Sequence, residues 1–129
     1  DGSNIHGIWG SSPNDVSKTF DLSNIPHTQM KIEATYYAID SWDGEEGSLY
    51  IDDTKKWSRV RTDYQTCAGG WTTYTMGPAP WGGVRCKDSF SIEPFSHNSD
   101  STAVSFRTGI NQPKEDESWG FDNLVIYVK

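Results

Sequence analysis

Met30-Lys-Ile-Glu-Ala-Thr-Tyr-Tyr-Ala38 decides the fold. Met30, Ile32, Ala34, Tyr36 and Ala38 fall on one side of an extended chain, and Lys31, Glu33 and Thr35 fall on the other. That period of two is the mark of a strand with one face in a core and one in water. The pattern recurs on both sides of this stretch. Ser48-Leu-Tyr-Ile-Asp52 turns Leu49 and Ile51 inward, and Asp88 to Glu93 turns in Phe90 and Ile92. Thr102 to Ile110 does so with Val104, Phe106 and Ile110. The run Asn123 to Lys129 puts Leu124, Ile126 and Val128 on one face with Tyr127 opposite, and Lys18 to Leu22 is a shorter strand. No window carries an apolar stripe at helical spacing. Seven or eight short strands joined by Gly, Pro, Asn and Ser turns read as an all-β domain, an antiparallel β-sandwich of jelly-roll type spanning residues 1–129.

Composition agrees. Six Trp, six Tyr and five Phe stand beside a hydrophobic fraction of only 34%, which suits two layers with one apolar face each. The net charge of −7 and the scattered placing of eleven Lys and Arg argue against a nucleic-acid partner. No run approaches the roughly 20 apolar residues of a membrane-spanning helix, so membrane insertion is not expected. The opening Asp-Gly-Ser-Asn is not a signal peptide, and a mature secreted protein or an excised domain would lack one too. Cys67 and Cys86 permit one disulfide, with two buried reduced thiols as the alternative. The stretch they enclose, rich in Gly and Pro, reads as an ordered loop. The pair leans towards an oxidising, extracellular setting.

Chemistry concentrates in two acidic stretches. Asp40-Ser-Trp-Asp-Gly-Glu-Glu46, followed by Asp52-Asp53, places six carboxylates within fourteen residues. Glu115-Asp-Glu-Ser-Trp-Gly-Phe-Asp122 adds four more, so the two hold ten of the eighteen acids. Carboxylates brought together repel unless they stay solvated or share a cation. Ca²⁺, which takes six to eight oxygens, fits such a set, whereas His6, His27 and His97 lack the short spacing of a zinc site. Asp40 is expected to end a strand and Asp122 to sit just before the final one. Two solvated loops are the plain alternative, but each carries a large apolar residue, Trp42 or Trp119, that a purely solvated turn would not favour.

The order Ile-Asp-Ser-Trp-Asp-Gly-Glu, Leu-Tyr-Ile-Asp-Asp, then Glu-Ser-Trp-Gly-Phe-Asp-Asn-Leu-Val-Ile resembles a domain of ciliate and other protist surface and secreted proteins, found also in bacterial adhesins. More distantly, the ending is similar to the last strand of jelly-roll carbohydrate-binding modules. The resemblance runs from about Phe20 to Lys129. It implies a calcium-stiffened sandwich outside the cell and maps calcium onto Asp40, Asp43, Glu45 and Asp122, with Asp116 and Glu117 beside them. Phe121 stands where an aliphatic residue is commoner.

Three functions follow as expectations. The first is recognition of a glycan or a cell-surface or matrix ligand in adhesion, with Trp71, Tyr74 and Trp81 as stacking rings and Asn98, Asp100 and Gln112 as polar contacts. Ring packing inside the fold is the competing use of those aromatics. The second is a structural subunit of an extracellular filament, self-assembling through the N-terminal segment 1–10 at an exposed edge. The third is a glycoside hydrolase, which needs two carboxylates about 5–9.5 Å apart across a cleft. No Ser-His-Asp spacing, Gly-X-Ser-X-Gly elbow or phosphate loop is present, and a non-enzymatic role is expected.

Overall fold

The computed structural model describes residues 5–75 and 83–129. Among these residues there are nine strands and no helix: β1 (His6–Trp9), β2 (Asp15–Asp21), β3 (Gln29–Asp40), β4 (Glu45–Ile51), β5 (Thr54–Arg61), β6 (Thr72–Tyr74), β7 (Arg85–Ser96), β8 (Ser101–Thr108) and β9 (Glu117–Val128). They form two antiparallel sheets, ordered β1-β9-β3-β7-β6 and β2-β8-β4-β5. Most successive strands alternate between the sheets, which is the winding of a jelly roll. Cys67 and Cys86 are joined as a disulfide, tying the loop before β6 to the start of β7.

The strand that decided the reading is the centre of the first sheet, paired with both β7 and β9. Its inward residues Met30, Ile32, Ala34, Tyr36 and Ala38 are all buried, and Leu49, Ile51, Val104 and Phe106 of the second sheet, with Ile110 just after β8, complete the core. Phe90, Ile92, Leu124, Ile126 and Val128 pack against this core from its margin. Tyr36 binds the layers together. Its ring stacks on Trp119 at 5.7 Å, and its hydroxyl donates to the Arg107 carbonyl at 2.8 Å. Gly47 lies so close beneath that ring that an added Cβ would fall 2.5 Å from it.

Four features depart from the sequence reading. Within the segment expected to lack strand character, His6–Trp9 pairs with β9 as the edge strand of the chain's own sheet. β5 is a full strand despite its charged composition. The loop enclosed by the cysteines contains the short strand β6. The last strand begins at Glu117 rather than after Asp122, so Asp122 sits well inside it, opposite Thr35.

Candidate metal centre

The register sets the geometry. Asp40 at the end of β3 pairs with Glu117 at the start of β9, and Glu45 at the start of β4 pairs with Arg61 at the end of β5. All four therefore lie at one pole of the sandwich. Between β3 and β4 the chain crosses from one sheet to the other through Ser41–Gly44. Asp40 takes a left-handed φ of 74° and Gly44 a φ of 127°, conformations that Asp tolerates and Gly adopts freely. The crossing is stitched to the segment entering β9. The Ser41 amide donates to the Asp116 carbonyl at 3.0 Å, and the Ser41 hydroxyl donates to the same oxygen. The Trp42 indole N–H donates to the Ser118 carbonyl at 2.9 Å.

This stitching brings three carboxylates together. One oxygen each from Asp43, Glu45 and Glu117 lies within 4.8 Å of the other two. Two oxygens bound to one Ca²⁺ at about 2.4 Å stand no more than about 4.8 Å apart, so the spacing suits a common ion. Asp43 is exposed and Glu45 half-buried, while Glu117 is only 1% exposed. Glu117 Oε1 has no hydrogen-bond partner among the described residues. A buried, unpartnered carboxylate oxygen is costly to leave unmatched. Burial, then the Glu45 charge and its hydrogen bond, push the Glu117 carboxyl up to about 7. Burial raises Glu45 as well, while the Asp43 amide, which donates to Glu45 Oε1 at 2.8 Å, works in the opposite direction.

Arg61 is a built-in counter-charge at this pole, but its terminal nitrogens are used elsewhere, and its Nε has no partner among the described residues. Its guanidinium is fully buried and donates to the carbonyls of Ala38 at 3.1 Å, Tyr64 at 2.9 Å and Val84 at 3.1 Å. Burial lowers it to about 10, an effect the Asp40 charge opposes. Sequence reasoning passed over Arg61 because it ends a polar strand that gave no inward signal.

Of the six residues expected to hold calcium, Asp43, Glu45 and Glu117 converge. Asp40 lies at the same pole, fully buried, with Oδ1 accepting the Gly83 amide at 2.8 Å. Asp116 contributes its carbonyl to Ser41, as described above. Asp122 is separate. It stands five residues along an extended strand from Glu117, roughly 16 Å, and the alternation of β9 sends it to the face opposite Glu117 and Trp119. There it lies beside Tyr37, whose phenol is raised by burial and then by the Asp122 charge. Asp52 and Asp53, counted with the first acidic stretch, sit in the β4–β5 turn at the far pole.

The expected ligand rings are redistributed too. Trp71 is a core residue: it packs against Tyr36, Trp42 and Trp57, and its indole N–H donates to the Val60 carbonyl at 3.0 Å. Tyr74 packs edge-on against Tyr37 at 5.3 Å. Trp81 lies outside the described residues. Asn98 and Asp100 are exposed in the β7–β8 turn, at the pole opposite Trp71 and Tyr74, because Ser96 pairs with Gln29 and Arg85 with Ile39. These residues do not form one site.

No protein-family model and no curated protein sequence matches the chain. Among solved structures, dimeric latent PorU from Porphyromonas gingivalis superposes with a TM-score of 0.61 at 13% identity. The likeness is one of fold. It covers 94% of this chain and 10% of that one, so the present chain spans about a tenth of PorU's length. A structure of infectious bursal disease virus, Gx strain, gives a TM-score of 0.30 at 14% identity over 93% of this chain and 28% of that one.

Proposed function

We propose that this chain is an extracellular, calcium-binding β-sandwich module that serves recognition, with a glycan as the expected ligand class. The observation that carries the calcium half is Glu117: a carboxylate 1% exposed, one oxygen unpartnered, with Glu45 and Asp43 converging on it. An all-oxygen set of three carboxylates matches a hard cation, and the exposed Asp43 leaves the outer coordination positions to water or to ligand hydroxyls. The disulfide is in keeping with an oxidising compartment.

The recognition half draws on a different place. A cleft of about 530 Å³ opens between the sheets along the β1 and β2 edges, lined by Phe20, Phe106, Phe121, His6, Lys18 and Asn123, among others. Its volume is that of a small-molecule site, and its rings offer the apolar surface on which sugar C–H faces stack. Lys18 Nζ lies 5.2 Å over the Phe20 ring.

A glycosidase reading has one point in its favour, since a carboxyl held near 7 resembles a general acid. Against it, a group 1% exposed is out of reach of a glycosidic oxygen. Calorimetric titration of the chelator-treated chain with Ca²⁺, followed by a glycan array with and without Ca²⁺, tests the proposal. Binding lost in Glu117→Gln, and array signal lost in Phe20→Ala, are the expected results. Absence of Ca²⁺ binding at millimolar concentration would overturn the calcium half, and a blank array would overturn the glycan half.

A further inference from the structure

The pole opposite the acidic cluster holds an arrangement that the cation reading does not use. His27 lies in the connection from β2 to β3, His97 directly after β7, and Asp52 in the β4–β5 turn. They are joined in series. His27 Nδ1 meets the Ile25 carbonyl at 2.7 Å, His27 Nε2 meets His97 Nδ1 at 2.8 Å, and His97 Nε2 meets Asp52 Oδ2 at 3.1 Å. The His97 side chain is only 6% exposed.

Counting hydrogens decides what this chain of bonds requires. The Ile25 carbonyl can only accept. The Asp52 carboxylate also accepts throughout, because Oδ1 takes the Ala103 amide at 2.8 Å and Oδ2 takes the Thr102 hydroxyl at 3.4 Å. His27 Nδ1 and His97 Nε2 must therefore both carry hydrogen. The middle bond needs a third hydrogen, while two neutral imidazoles supply one each. One of the two rings is thus an imidazolium whenever all three bonds are made, and Asp52 is its counter-ion. Without that extra proton, two lone pairs would face each other at 2.8 Å.

A metal ion does not fit between them. The ring planes differ by 14° and the centroids are 5.0 Å apart, close to the full span of the 2.8 Å nitrogen gap plus the two rings' own half-widths. The rings therefore lie end to end. A metal bonded to both nitrogens at about 2.0 Å would need them farther apart, with lone pairs converging off the line.

We propose that this triad is a proton-dependent clasp that fastens the two sheets and the β2–β3 connection at this pole when His27 and His97 share one extra proton, and releases the connection when it is lost. The clasp joins separate parts of the fold: His97 follows β7 of the first sheet, Asp52 follows β4 of the second, and His27 lies in the crossing between them. The neighbouring backbone completes it, with the His97 amide donating to the Thr28 carbonyl at 3.0 Å and the Thr28 amide to the Lys129 carbonyl at 2.8 Å. Other charged groups on the surrounding elements are Asp21, Asp53, Lys56, Asp100 and Lys129. Asp53 is paired with Arg107, and Lys56 lies over the Phe95 ring. The sign follows from the hydrogen count: the extra proton is held in the fastened state, so the contribution is present while the pair carries that proton and absent once it is lost.

The test uses the whole chain in a Glu117→Gln background, so that the acidic cluster and its calcium reading stay outside the result. Nitrogen-15 NMR of the imidazoles and amide hydrogen exchange are followed between about pH 5.5 and pH 8.5, where histidine changes charge. The expected result is one imidazolium shared by the pair at the acid end. Exchange at the Thr28 and His97 amides should be about five- to tenfold faster at the alkaline end, beyond the intrinsic pH effect, as loss of one hydrogen bond implies. His27→Gln should remove that excess. Two neutral rings at every pH, or a His27→Gln chain that keeps the full excess, would overturn the clasp.

Discussion

Asp40, the last residue of β3, lies directly across from Glu117, the first residue of β9. That pairing brings the crossing after β3 and the turn before β9 to the same place, and it makes a three-carboxylate cluster from stretches more than seventy residues apart. Five expectations follow from the resulting geometry.

Calcium should raise the melting temperature of the chelator-treated chain. An ion that binds only the folded state stabilises by about 2.7 kcal/mol at a hundredfold excess over its dissociation constant. Glu117→Gln should lose most of this gain. Scanning calorimetry with and without chelator measures both, and equal melting of the wild-type chain in the two conditions refutes a stabilising ion.

The cation-free chain should weaken as pH rises. Glu117 is raised from 4.5 to about 7 in the fold, so it binds its proton more tightly folded than unfolded. Its contribution is complete below about 4.5 and is lost as pH climbs to about 7, on the order of 2–3 kcal/mol. Urea denaturation across this range, compared with Glu117→Gln, isolates the effect. A parallel slope in the two chains contradicts the assignment.

Asp122→Asn should leave the calcium response unchanged, because Asp122 lies on the other face of β9 from Glu117. This separates the geometry from the simple proximity of acids in sequence. A variant that binds calcium markedly more weakly would place Asp122 in the site after all.

Arg61→Ala should cost about 3–5 kcal/mol of unfolding free energy. It removes a fully buried guanidinium that donates to three carbonyls, and it leaves the Asp40 charge beside an emptied space. Chemical denaturation gives the value, and a loss below about 1 kcal/mol would show that water replaces those donors readily.

Gly47→Ala should destabilise by about 1–3 kcal/mol, since its new methyl would press on the Tyr36 ring. Thermal melting reads this directly. A neutral outcome means that Tyr36 can withdraw without losing its bond to Arg107.

What was legible in the sequence was whatever a single strand reports about itself. β3, β4, β8 and the end of β9 alternate in sequence; the inward residues of the first three are buried, and those of β9, Leu124, Ile126 and Val128, are half-buried at the core's margin. β5 was missed because Thr54-Lys-Lys-Trp-Ser-Arg-Val-Arg61 is an edge strand whose charges suit an exposed margin, and its one fully buried side chain is an arginine. β1 is four residues long and is held by the close approach of Gly7 to Gly120, a tertiary fact invisible in His-Gly-Ile-Trp. Of the residues in the acidic stretches, Asp43, Glu45 and Glu117 come together at one pole. Asp122 was misplaced because Ser118 and Gly120 interrupt the apolar pattern and hid the first half of β9. Asn98 and Asp100 were grouped with Trp71 without any knowledge of strand direction, and direction alone puts them at opposite poles.

Trp42 is flanked by Ser41 and Asp43, and its indole donates to the carbonyl of Ser118, next door to Glu117. A natural fluorophore is thereby wired to the carboxylate cluster through a single backbone link. A change at that cluster should register in the emission of native material without a label, and a Trp42→Phe chain separates its share from that of the other five tryptophans.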